Sequence, residues 1–99
     1  MNHVPDKWEI VEIVSKKRGA MRKVLSSWYG GYTGSPSWRL SSDIQQTEEF
    51  EDRFVHLCRT GSVYNCFKDS QGLTPYTGDV FNSLRESLRE GGSSIKIVT

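Results

Sequence analysis

The side chains best suited to chemistry lie in three places. The first is an aromatic loop, Trp28-Tyr-Gly-Gly-Tyr-Thr-Gly-Ser-Pro-Ser-Trp38. It sets Trp28, Tyr29, Tyr32 and Trp38 among glycines, with Lys16, Lys17, Arg18, Arg22 and Lys23 before it and Arg39 after it. Rings interleaved with cations can stack bases and hold phosphates. The same residue types dominate protein-binding hot spots. Rigid Tyr and Trp with adaptable Gly and Ser is also the composition of paratope loops. Against these stands a structural reading, in which Trp28 and Trp38 pack inward and the loop only turns the chain.

The second place holds His56, Cys58 and Cys66. A two-residue turn at Thr60-Gly61 sets Cys58 opposite Val63 and His56 opposite Asn65. Cys66 then lies opposite Val55 and faces away from Cys58, which forbids a disulfide or a shared metal. A slip of one residue would reverse that facing. The His-x-Cys spacing followed by a distant cysteine matches no usual zinc pattern. Reduced, structural thiols are therefore expected, and no metal or cofactor. His56 and Cys58 could form a base–nucleophile pair, but no third group is marked to orient them. The glycine-rich phosphate loops, zinc-binding helix motif and serine elbow of common enzymes are missing, so no catalytic residue is assigned. The third place is the loop Asp69–Gly78. There Gln71, Thr74, Tyr76 and Thr77 stand beside a helix start, where free N–H groups favour anions, though Asp79 opposes one.

Several elements must position these groups. Trp8–Ser15 is rich in β-branched residues and precedes a basic run with Gly19. The spacing predicts a hairpin: a strand over 8–15, a turn over 16–19 and a strand over 20–28. A helix continuing through Met21, Val24, Leu25 and Trp28 is the competing reading. Arg39–Thr47 reads as a strand, Glu48–Asp52 as an acidic turn, and Arg53–Arg59 with Ser62–Lys68 as a second hairpin. Val80, Phe81, Leu84 and Leu88 share a stripe at helical spacing, which predicts a helix over 79–90. Thr77 or Asp79 would cap its start, and Gly91-Gly92 would end it. Ser94–Thr99 closes as a strand. The sum is an α+β fold in a single domain over 1–99, with a small, mostly antiparallel sheet of five to six short strands. One amphipathic helix packs on a face.

Composition bounds the function. The chain has 99 residues and a net charge of +1, with 4 Phe, 4 Tyr and 3 Trp. A domain so small has a thin core, which its aromatics must largely supply. No apolar run is long enough to span a membrane as a helix, and the first twenty residues hold no signal-peptide segment. A cytoplasmic location is expected, with no membrane partner. The balanced charge disfavours a broadly basic nucleic-acid coat. It also conceals an asymmetry: residues 1–40 carry seven basic and three acidic groups, whereas residues 41–99 carry six basic and nine acidic ones. A dipole of this kind can orient a partner or pair within the fold.

Two stretches, Ser37–Ile44 (SWRLSSDI) and Gly61–Tyr76 (GSVYNCFKDSQGLTPY), resemble small phage- or prophage-encoded accessory proteins of the anti-defence type. The resemblance covers about a quarter of the chain and assigns no role to any residue. It implies a short binding protein that inhibits or redirects a host protein by occupying a surface. The expected function is thus a non-enzymatic binding module. Its expected contact residues are Lys17, Arg18, Arg22, Lys23, Trp28, Tyr29, Tyr32, Trp38 and Arg39. The alternative is nucleic-acid or nucleotide binding through the same loop.

Overall fold

The computed structural model describes residues 1–30 and 34–98. The elements are β1 (Asn2–His3), β2 (Lys7–Ser15), β3 (Gly19–Trp28), β4 (Ser37–Leu40), β5 (Ile44–Glu49), β6 (Arg53–Cys58), β7 (Val63–Phe67), α1 (Pro75–Glu90) and β8 (Ser94–Ile97). Among the described residues, eight strands and one helix make the α+β fold expected from the sequence, but the strands divide into two sheets of four. One has the order β4-β3-β2-β8, the other β1-β7-β6-β5. All pairings are antiparallel except β1 with β7.

The β4-β3-β2-β8 sheet is the middle layer. Its residues alternate between two cores because strand side chains have a period of two. Trp8, Ile10 and Val24 meet Cys58, Tyr64, Cys66 and Phe54 of the second sheet. Val11, Ile13 and Leu25 meet Phe81 and Leu88 of the helix and Ile95 of β8. The dense run of apolar residues in β2 thus reflects a strand covered on both sides, and the competing long helix is not formed. Glycine and the cations at 16–19 form the hairpin turn as expected.

Three boundaries differ from the sequence reading. Arg39–Thr47 is two strands in different sheets, because the chain crosses between layers at Ser41–Asp43. Ser41 fixes the crossing: its amide donates to Val24 O, and its Oγ accepts from the Val24 amide. The acidic turn is shorter, since Glu48 and Glu49 belong to β5. The helix begins at Pro75, and its cap is Thr74, not Thr77 or Asp79. Thr74 Oγ1 accepts from the Thr77 amide at 3.1 Å, while Thr77 Oγ1 accepts from the Thr74 amide at 2.9 Å. This reciprocal box satisfies two end donors at once, and Pro75 suits the first helical position. The far end closes at Gly92, whose φ of +83° turns the chain so that the Ser93 amide reaches Leu88 O.

The β6–β7 hairpin corrects the expected facing of the cysteines. Its loop has three residues, not two. The Gly61 amide closes a turn onto Cys58 O, and Gly61 sits at φ +91°. This conformation adds one residue to the connection. Leu57 therefore opposes Val63, His56 opposes Tyr64, and Phe54 opposes Cys66. Cys66 consequently faces the same core as Cys58, and both thiols are buried and unbridged.

Candidate functional site

The expected contact surface is divided by the fold. Lys17 and Arg18 lie at the turn of the β2–β3 hairpin, Arg22 and Lys23 follow within β3, and the aromatic part begins with Trp28 at the far end of that strand. Trp28 is about 33 Å along the strand from Arg18 and about 17 Å from Lys23. Much of the basic density is also engaged internally. Arg18 and Lys23 sit 3.3 Å and 3.2 Å from the Asp43 carboxylate, with Arg59 beside them at 4.0 Å. Arg22 pairs with Glu12 at 3.3 Å, and Lys96 approaches the same carboxylate at 3.7 Å. Lys17 is exposed in the turn. The charge asymmetry of the sequence is thus partly resolved by pairing across the fold.

The aromatic end is divided a second time. Trp28 pairs with Ser37 and Trp38 with Ser27, so the two indoles leave opposite faces of the sheet. Trp28 turns toward the second sheet, donates its N–H to Val4 O at 3.1 Å, and lies 6.2 Å from the His3 ring. His3 in turn stacks on Tyr64 at 4.5 Å. Burial first, then the Arg39 guanidinium, hold the His3 pKa below its ordinary value. Tyr29 is 57% exposed, with its amide fixed on the Asp6 carboxylate. Tyr32 lies outside the described residues.

Trp38 leaves the opposite face and borders a shallow groove of about 510 Å³ with the helix. Tyr76, Val80 and Leu84 form one wall, and Asp79, Ser83 and Ser87 form the rim. These are two adjacent ridges at i, i+4, i+8 spacing. Sequence reasoning placed Val80 and Leu84 on the core stripe and missed Tyr76 as a helical residue. The ridge is legible only once the helix is known to start at Pro75. Phe81 and Leu88 alone of that stripe join the core.

A larger cleft of about 760 Å³ opens between the two sheets. Trp8, Ile10, Glu12 and Arg22 line it from one sheet, and Ile44, Thr47, Phe54 and His56 from the other. Trp8 meets Phe54 edge to face at 6.1 Å and donates its indole N–H to Phe67 O at 2.7 Å. His56 is 5% exposed. Its Nδ1 contacts Thr47 Oγ1 at 2.8 Å, while Nε2 has no partner among the described residues. Burial holds its pKa below the ordinary histidine value, so the ring is neutral near pH 7. No signal in the sequence announced this cleft, which depends on how two sheets meet.

The remaining expected chemistry takes a plain form. His56 and Cys58 share a face, but burial pushes the Cys58 thiol pKa up, against the pull of a Ser41 hydrogen bond and of Lys23. Cys66 is pushed up to about 12 by burial, then by Cys58. Protonated thiols are poor nucleophiles. At the helix start, Thr74 and Thr77 spend their hydroxyls on the capping box. Gln71 donates to Glu9. Among the described residues, no three His, Cys, Asp or Glu side chains gather as metal ligands. Among the same residues, no helix is long and apolar enough to cross a membrane. Comparison with known proteins finds no matching family model, no similar curated protein and no matching solved structure.

Proposed function

We propose that this chain is a non-enzymatic binding module that seats a segment of a host protein in the groove between β4 and α1. One observation carries the reading. Trp38 and Tyr76 are 38% and 39% exposed and border the same groove. Both are anchor types for interface hot spots, where buried aromatics carry most of the binding energy. Val80 and Leu84 supply an apolar floor, and Asp79 supplies a negative charge at the rim. The matching segment presents an apolar side chain with a basic one beside it. The resemblance to phage-encoded accessory proteins supports a partner in the host cytoplasm, inhibited or redirected by occlusion of its surface.

The test is capture from host lysate, with and without nuclease treatment, by the wild type and by Y76S and V80E variants. A captured protein that is lost with both variants, and kept by a K17E variant at the distant turn, supports the reading. Capture that survives both groove variants sinks it, as does capture of nucleic acid in the untreated arm alone. Far-UV circular dichroism confirms that each variant is folded.

A further inference from the structure

We propose that the cleft between the two sheets is a binding site for a small planar aromatic carboxylate that bears a hydrogen-bonding substituent on its ring. The cleft has about 760 Å³, within the range of small-molecule sites. Its lining mixes apolar side chains with polar ones, among them Glu12, Arg22, Thr47, His56 and Gln71. Trp8 and Ile10 stand on one side, and Phe54 on the other. Trp8 is 2% exposed and already packs edge to face with Phe54, so a planar ring entering the cleft lies against Ile10, the open side of Phe54 and the rim of the indole.

Two polar features fix the orientation. At the mouth, Glu12 is shared by two cations, Arg22 on Oε2 and Lys96 on Oε1. One carboxylate cannot neutralise both, and the Arg22 side chain remains 61% exposed. An incoming carboxylate meets unspent guanidinium donors there, in the planar geometry that arginine binds best. The nearby Lys68–Glu49 pair beside Phe54 is balanced and adds no net charge. On the inner wall, His56 Nε2 is buried with no partner among the described residues, while Nδ1 is held by Thr47. A buried polar atom left unpaired is costly. A ring substituent that hydrogen-bonds Nε2 removes that cost and adds direction. The site therefore reads a carboxylate at one end and a hydroxyl at the other.

The probe is 6-hydroxy-2-naphthoate, compared with 2-naphthoate and with 6-hydroxy-2-naphthamide. Binding is followed by two-dimensional NMR of the Trp8 indole N–H and the His56 ring, with Kd from the titration. The expected result is that both signals shift, and that loss of the hydroxyl or of the negative charge each weakens binding at least fivefold. R22Q then removes the preference for carboxylate over amide, and H56F removes the preference for hydroxyl. A20W, on the exposed rim, blocks all three compounds and serves if H56F does not fold. Unmoved Trp8 and His56 signals overturn the proposal. Equal affinity for carboxylate and amide, or shifts confined to the Trp38 groove, do the same.

Discussion

The middle sheet is packed twice, and its two interfaces differ in kind. Toward the helix it presents Val11, Ile13, Leu25 and Ile95 against Phe81 and Leu88. That core is aliphatic with one ring, and the helix closes over it. Toward the second sheet it presents Trp8 and Val24 against Tyr64, two thiols and a buried histidine. Here His56 Nε2 and Ser26 Oγ have no partner among the described residues, and a cleft runs in from the edge. The geometry explains the contrast. A helix stripe can follow a twisted sheet closely, whereas two twisted sheets diverge at their corners. Both interfaces bury their central residues, and the second also holds a cleft and unpaired polar groups.

The contrast predicts unequal costs for comparable truncations. F81A removes a ring from the closed core and is expected to cost about 3–5 kcal/mol, from the transfer and cavity terms together. Ile44 lines the cleft and is already partly solvated. I44A leaves no sealed void, so its expected cost is about 1 kcal/mol, below the usual range for a buried Ile→Ala change. Urea unfolding of both variants measures this directly. Equal costs would mean that the cleft is as well packed as the helix face.

The second expectation concerns pH, and its magnitude is smaller. Burial lowers the folded-state pKa of His56. The unfolded chain therefore binds a proton more readily than the folded one as pH falls below about 6.5, and stability is lost in that window. On the alkaline side the buried thiols act in the opposite direction. Cys66 is pushed up to about 12 from an ordinary 9.0, so the unfolded state loses its proton first and stability falls as pH rises above about 9. Both limbs originate in the interface between the sheets. H56Q is expected to flatten the acid limb while leaving the alkaline one, as read from urea midpoints across the pH range. An unchanged acid limb would assign that limb to other groups, among them His3, whose pKa is also lowered.

The same two interfaces separate what a sequence can reveal from what it cannot. The β2–β3 hairpin and the amphipathic helix were legible, because turn residues and periodicity are local signals. The facing of Cys66 was not. It turned on whether the loop at Gly61 holds two residues or three, and one extra residue at φ +91° rotates the whole of β7. The division of Arg39–Thr47 between sheets was equally hidden, because Ser41 is held by Val24, seventeen residues away. In the sequence the aromatic loop forms one cluster. Pairing of Trp28 with Ser37 and of Trp38 with Ser27 sends its indoles to opposite sides, a consequence of strand pairing that spacing in the loop does not encode. The cleft was invisible for the same reason, since its walls come from residues far apart in the chain.

The smallest expected effect sharpens the comparison on the helix itself. Tyr76 occupies the second helical position, with its ring at the groove and over a third exposed. It belongs to neither core cluster. Serine is well tolerated in the first turn, and the Thr74–Thr77 box that holds the helix start does not involve this side chain. Y76S is therefore expected to change stability by no more than about 0.5 kcal/mol, the range for surface positions. Phe81, little more than one turn further on, lies on the other side of the same helix and is buried. A single element then carries one ridge that holds the fold together and another that the fold can spare. If Y76S instead costs as much as a core truncation, the groove is part of the helix-side interface, and the exposed aromatics are packing and not a contact surface.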